Sequence, residues 1–362
     1  MSILGNLLAL PYMALFFSVW TLAMIIRPFF LACFLLAMST PIAALKKVQL
    51  TITAIQYLIL CNDKKWKAPI EDPESFFQSD NDCEKKTILF VRHGESTWND
   101  TFNRGDRSMA QFIINFIPGI IKSIAMEGYF FVTGQAQESW FYDSPLSKKG
   151  LNQAEGLASF LGESLDYKTP KEQELIKILI GDSPSQLVSS NLRRAISTMA
   201  VGFQARLNKN LQNDSIVILS ELQEISRNPD ALTILTTKGS KLQCAWTDPP
   251  FLEHILMHRT DTSLHQGNKP IDSNGFKRLQ AFCDLVFSDN LKKDAVIAAG
   301  HSLWFRSFFQ TYLPYSFEHI SKKKKLINGG CVGLVLQRVK TKEGTFKYMI
   351  DPKSITVLYG GF

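Results

Sequence analysis

The chain has 362 residues, with 40 Lys and Arg against 33 Asp and Glu and a formal net charge of +7. That length allows one large domain, or two modest ones, with a substantial core. The charge is unevenly placed: the first 61 residues hold no Asp or Glu and only Arg27, Lys46 and Lys47, which leaves 37 basic against 33 acidic residues beyond them. So mild a balance excludes a general nucleic-acid surface.

Residues 1–61 are expected to form an apolar helical membrane segment. Ser2 to Ile26 is uncharged, Arg27-Pro28 interrupts it, and Phe29 to Leu45 is again uncharged before Lys46-Lys47. A bilayer core takes about 20 apolar residues, so the first run is long enough to span and the second is marginal; two short spans and a hairpin both fit. A cleaved signal peptide usually has a basic start and a shorter apolar core. A hairpin buried in a soluble fold would need unusually complete cover. The lysines that follow place the remaining chain on the cytosolic side. Val48 to Leu60 is too short to span and fits an interfacial or domain-packed helix. Six cysteines, at 33, 61, 83, 244, 283 and 331, lie far apart without a Cys-x-x-Cys pair. They suggest reduced thiols rather than a disulfide framework or a zinc site.

Residues 62–86 read as a polar linker, followed by a domain over residues 87–362. "TILFV" reads as a buried strand, and "RHGESTWN" follows at its carboxyl end, where ligands collect in open α/β sheets. Arg92 offers a planar fork suited to phosphate, and Gly94 permits close backbone approach. His93 has the chemistry of a nucleophile or a base. An insert at about 107–140 is apolar for a loop, which fits a lid, a binding wall, added core or part of a membrane-facing surface.

Further along, "DSPLSKKGLNQAEGLASFL" from Asp143 has Ser147 as helix N-cap. "QLVSSNLRRA" is a strand running into Arg193 and Arg194, and "IVILSELQEIS" a strand ending in Glu221 and Glu224. "DAVIAAGHSLW" is a strand ending in His301. Two histidines, arginines and a carboxylate at successive strand ends suit phosphoryl transfer through a phosphohistidine. The arginines orient the oxygens, one imidazole attacks, the other stabilises, and a carboxylic acid protonates the leaving oxygen. His254, His258, His265 and His319 are expected to be surface or packing residues. "SKKKKL", Lys322 to Lys325, fits a solvated loop, an anionic membrane contact or a guide for an acidic substrate.

With "VRHGESTWN", "DSPLSKKGLNQA", "SSNLRRA", "LQE" and "AAGHS" in order over roughly residues 87 to 335, the chain resembles the histidine phosphatase superfamily, the phosphoglycerate-mutase-like enzymes. The resemblance implies an α/β fold with a mainly parallel sheet flanked by helices, to which the strand pattern also points. It implies His93 as the phosphorylated nucleophile, Arg92 and Arg194 as phosphate-binding arginines, His301 as the second histidine and Glu224 as proton donor, with Glu221 as the fallback. Asn99 is a further phosphate ligand or a turn residue, and Arg193 is expected as a solvated helix-end charge. No cofactor and no metal is implied.

The second-histidine motif continues as Ser302-Leu303-Trp304, without the glycine that often follows, and the residues typical of glycolytic mutases are not evident. Hydrolysis is therefore expected ahead of a phosphomutase. The expected function is a membrane-associated phosphatase acting on a phosphomonoester. The alternatives are a phosphoglycerate-mutase-type phosphomutase and a non-catalytic, membrane-anchored phospho-ligand binding protein. The expected partners are a phosphorylated substrate and a membrane held through the N-terminal segment, with no nucleic acid.

Overall fold

The structure is a computed structural model that describes residues 41–66, 71–77, 83–105, 107–135, 137–209, 214–235, 243–272 and 274–362. Its centre is a sheet of eight strands: β1 (Glu84–Arg92), β2 (Gln186–Ser190), β3 (Ile216–Leu219), β4 (Thr260–Asp261), β5 (Ala295–Gly300), β6 (Cys331–Lys340), β7 (Phe346–Ile350) and β8 (Thr356–Tyr359). The order is β4-β3-β2-β5-β1-β6-β7, with β8 also on β6. Pairings from β4 to β1 are parallel, and those made by β6 are antiparallel. This is the expected α/β class, with antiparallel strands at one edge.

Because side chains alternate across a strand, β1 feeds two cores. Leu89 and Val91 pack with Leu187, Ile218 and Ile297 on one face, and Ile88 and Phe90 pack with Val188, Leu219 and Val296 on the other. Helices cover both faces, which is why these short strands read as continuous apolar runs. The helices are α1 (Pro41–Leu60), α2 (Thr97–Phe102), α3 (Met109–Val132), α4 (Lys148–Leu161), α5 (Pro170–Ile180), α6 (Arg193–Gly202), α7 (Gln204–Lys209), α8 (Leu252–His258), α9 (Gly275–Val286), α10 (Ser302–Tyr312) and α11 (Ile320–Lys323). The second core is dominated by aromatic rings. Phe90 stacks on Phe305 at 4.4 Å and meets Trp304 and Phe308 edge-on, which fixes the start of α10 against the end of β1.

The expected N-terminal membrane segment is corrected by the structure. Among the described residues, one helix is long and apolar enough to cross a membrane, and it is the internal α3, with mean hydropathy 1.5. Residues 1–40, which carry most of the expected segment, lie outside the described residues. The part that is described, α1, carries Lys46 and Lys47 and packs on the domain through Leu50, Tyr57 and Cys61, beside Tyr142 and Leu232. An N-terminal membrane helix, and a membrane partner held through it, therefore do not stand.

A capping box of Ser108 and Gln111 opens α3. Only 6% of its most apolar stretch is buried, and Ile113, Ile114, Ile117, Ile121 and Ile124 form an exposed stripe at helical spacing. Its inner face is fastened by Glu127, which pairs with Lys47 at 2.9 Å and accepts from Ser139 Oγ and the Trp140 amide, both at 2.6 Å.

Immediately after α1, Asp63 is fully buried between two cations. Its carboxylate accepts from Lys269 Nζ at 2.8 Å, and both oxygens accept from Arg278 at 2.8 Å. Lys269 Nζ also donates to the carbonyls of Glu224 and Ser226, each at 2.5 Å. Start-of-chain residues therefore brace the segment that carries Glu224. Removing one member of a buried ionic cluster leaves uncompensated charge, and typically costs about 3–5 kcal/mol. Asp63→Ala is accordingly expected to destabilise the protein by about that amount in urea unfolding; a change below about 0.5 kcal/mol, the level of a surface substitution, contradicts this role.

Candidate active site

The carboxyl ends of β1 and β5 lie side by side, with Arg92 opposite Gly300. His93 and His301 are the next residues, and their rings end 4.9 Å apart. The His93 amide donates to the Gly300 carbonyl at 3.1 Å, locking the two strand ends together. After His93 the chain turns against the first turn of α4. A Cβ on Gly94 would lie 2.3 Å from the Gly150 carbonyl oxygen, and one on Gly150 would lie 2.0 Å from the Glu95 carbonyl oxygen. Both positions require glycine because backbone meets backbone there. Ser147 caps α4, accepting from the Gly150 amide at 3.1 Å, while its hydroxyl donates to Glu95 Oε1 at 3.1 Å.

A cavity of about 140 Å³ opens at these strand ends, and its wall includes Arg92, His93, Asn99, Arg194 and Glu224. Five of the six residues singled out in the sequence thus share one cavity. The sixth, His301, is fully buried beside His93 rather than on the wall. The fallback carboxylate, Glu221, is also absent from the wall.

His93 Nδ1 lies 2.5 Å from the Gly94 carbonyl oxygen, an acceptor only, so Nδ1 carries the proton and Nε2 a free lone pair. Arg194 Nε approaches that Nε2 at 3.4 Å, as a donor would. Burial, then Arg194 and Arg92, hold the His93 imidazole well below the ordinary value of 6.5. Burial and Arg194 do the same for His301, whose Nε2 meets Ser190 Oγ at 2.8 Å. His301 Nδ1 is buried with no hydrogen-bond partner among the described residues.

Arg194 is itself aimed by Asp230, through the backbone oxygen at 2.6 Å and the carboxylate at 3.6 Å. Burial raises the Asp230 carboxyl to about 6 against the pull of Arg194. Glu224 Oε1 accepts from the amides of Ile225 at 2.9 Å and Trp304 at 3.0 Å. Trp304, three residues beyond His301, therefore holds the carboxylate through its backbone amide. Arg92 donates to the Leu326 carbonyl at 2.6 Å. Asn99 Oδ1 accepts from Asn103 Nδ2 at 2.7 Å, which turns the side chain while it lines the wall.

Arg193 differs from expectation. It is buried, pairs with Glu138 at 2.8 Å and donates through Nε to the Asp143 carbonyl at 2.9 Å, so its place is structural. Asp143, in the left-handed region at φ 49°, accepts from the Arg193 and Ile234 amides. Site residues not singled out in the sequence are Asp230, Thr198, which accepts from the Gly94 amide at 3.0 Å, and Asn328, which donates to the His93 carbonyl at 2.9 Å. Among the described residues, no group of three or more His, Cys, Asp or Glu side chains is placed to hold a metal ion.

No protein-family model and no curated protein matches the sequence. Similar solved structures include mycobacterial glucosyl-3-phosphoglycerate phosphatase, at 15% identity and TM-score 0.34, covering 74% of this chain and 97% of that one. They also include mycobacterial hydrolase 1, at 13% and 0.34 over 74% and 97%, and mycobacterial hydrolase 2, at 13% and 0.35 over 77% and 92%. At such identities and TM-scores, these likenesses carry no weight for activity.

With both imidazoles held below 6.5, the unfolded chain takes up protons that the folded chain refuses as pH falls through 6.5, so these two groups lower stability in acid. Ring nitrogen NMR at pH 6 is expected to show His93 neutral and protonated on Nδ1; a titration midpoint near 6.5 contradicts the geometry. Gly94→Ala is expected to lower both the urea midpoint and the turnover, because its methyl would have to displace the backbone of Gly150.

Proposed function

We propose that the protein is a phosphatase that hydrolyses a phosphomonoester through a phosphohistidine on His93. The observation that carries this reading is His93 Nε2, left without a proton by the contact of Nδ1 with the Gly94 carbonyl, in a small cavity shared with two arginines and a carboxylate. The motifs shared with the histidine phosphatase superfamily support it.

In the first step the His93 Nε2 lone pair attacks phosphorus while Arg92 and Arg194 neutralise the phosphoryl oxygens. The bond from phosphorus to the leaving oxygen breaks, and protonated Glu224 gives that oxygen a proton. His301 is neutral, lies beside the His93 ring and has no hydrogen-bond partner at Nδ1 among the described residues, and in this proposal it donates to a third phosphoryl oxygen as that group reaches His93. In the second step water attacks phosphorus and gives a proton to the Glu224 carboxylate. The P–N bond breaks, which releases phosphate and restores neutral His93. Asn99 supplements the arginines from α2. The cationic side chains do the charge neutralisation that magnesium provides in other phosphoryl-transfer enzymes.

The proposal includes membrane association, through α3 rather than the N-terminal segment. The helix lies on the domain by its inner face and leaves its isoleucine stripe exposed, the arrangement of a helix resting in the lipid interface. Its neighbour α2 carries Trp98 and Asn99 of the cavity wall, so the stripe and the site are linked through one short helix.

With para-nitrophenyl phosphate, His93→Ala is expected to lower kcat by at least about a thousandfold, the scale of losing a covalent nucleophile. Glu224→Gln is expected to slow alkyl phosphates more than this activated ester, whose leaving group needs no proton. Wild-type activity in His93→Ala contradicts the mechanism, and equal losses on both ester types contradict the role of Glu224. Replacing Ile114, Ile117 and Ile121 together by Lys is expected to abolish sedimentation with phosphatidylcholine vesicles while leaving the fold intact; undiminished binding contradicts the α3 contact.

A further inference from the structure

The cations around the cavity outnumber what one phosphoryl group needs. Arg92 and Arg194 flank His93, and Arg194 is already held by Asp230. The same wall also carries Lys64 and Lys325. Neither lysine has an ion-pair partner among the described residues, whereas the adjacent Lys323 pairs with Glu318. Arg306 stands close enough to Lys325 to repel it, and its buried Nε has no hydrogen-bond partner among the described residues. Partial desolvation, then Arg92, Arg306 and Lys64, push the Lys325 ammonium below its ordinary value, against the single opposing pull of Glu224. The inner wall sets Lys64, Arg92, Arg194 and Lys325 against two carboxylates, Glu224 and Asp230, and such an excess of like charge lowers stability unless an anion joins it.

The surrounding space has room for such an anion. Next to the inner cavity lies an outer chamber of about 600 Å³, and Arg92, Asn99, Asn103 and Lys325 belong to both. An inner space of about 140 Å³ suits a phosphoryl group, and the outer one falls within the range of small-molecule sites. The outer wall adds Arg104 along with Phe102, Phe112 and Ile327. Its one carboxylate, Glu95, is already engaged by Ser147 and, at 3.7 Å, by Lys149.

We propose that Lys64 and Lys325, backed by Arg306, form a second anion subsite, so that the substrate is a phosphomonoester bearing another phosphate on its leaving group. This rests on the phosphatase reading above and narrows it from any phosphomonoester to bisphosphate-type compounds. The second phosphate stays bound to the lysines while the first is transferred to His93, and it leaves with the alcohol. Both a soluble bisphosphate and a lipid headgroup have this chemistry.

The test measures phosphate release by the full chain from myo-inositol 1-phosphate, myo-inositol 1,4-bisphosphate and phosphatidylinositol 4-phosphate in phosphatidylcholine vesicles. The wild type is compared with the double variant Lys64→Met, Lys325→Met. Both lysines are exposed, and a thermal melt checks that the variant folds. The expected result is a kcat/KM at least tenfold higher for the soluble bisphosphate or the lipid than for the monophosphate, with the ratio falling to within twofold of one in the variant. Preference for the lipid with that lysine dependence assigns the subsite to a headgroup, and preference for the soluble compound assigns it to a free bisphosphate. Equal kcat/KM on all three, or a preference that survives the double variant, overturns the subsite. If the wild type turns over none of the three, the phosphatase reading fails on these compounds, and calorimetric titration then reads the subsite alone. Tenfold tighter binding of a bisphosphate-type compound that the variant loses supports it, and equal binding overturns it.

Discussion

The parallel pairing of β1 with β5, in the register that sets Arg92 opposite Gly300, is the constraint on which the site depends. It brings two histidines from positions 93 and 301 to ring contact without any covalent link. The register is held from both sides of the sheet by alternating apolar residues, since a slip by one residue would turn Phe90 and Leu89 into each other's core. Phe90 and the aromatic face of α10 then fix where His301 stands and where the Trp304 amide reaches Glu224. The Glu224 carboxylate is thereby positioned by the same packing that positions the imidazoles, the preorganisation that the proposed mechanism requires.

Burial has a second consequence at this point. Two imidazoles among arginines stay uncharged because a buried positive ring beside Arg194 would be costly. The neutral ring is the form that can attack, so in the proposed mechanism the desolvation that costs stability in acid also supplies the nucleophile. The small inner cavity shares Arg92, Asn99, Asn103 and Lys325 with a larger basic chamber, which under the proposals above divides the labour between chemistry and selection. Lys64 reaches the inner wall from just beyond α1, one residue from Asp63, which anchors that stretch to Lys269 and Arg278.

Much of this arrangement was legible in the sequence because strand ends in an α/β sheet announce themselves as short apolar runs followed by polar groups. His93, Arg194, Glu224 and His301 stand at such strand ends; of the two carboxylates there, Glu224 lines the cavity and Glu221 does not. Asp63 was not legible as a structural residue, because its partners lie 206 and 215 positions away and it stands in a charged stretch that reads as linker. Asp230 was missed for a similar reason: nothing local marks it, and only the fold brings it to Arg194. Arg193 was misjudged because a charge at a helix start is usually solvated, whereas Glu138 and Asp143 arrive from a distant loop to bury it. The insert was recognised as unusually apolar, but the sequence could not decide between core and exposed face; the isoleucine stripe of α3 shows it to be exposed.

The central claim is that phosphate passes through His93, and the most direct measurement is to catch it there. The full chain is mixed with phosphorus-32-labelled para-nitrophenyl phosphate, quenched in alkali within one turnover and mapped by peptide mass spectrometry. The account predicts an acid-labile, alkali-stable phosphate on the peptide containing His93, formed and lost at rates compatible with kcat and not formed in His93→Ala. Turnover without any labelled peptide, or label on another residue, would contradict it.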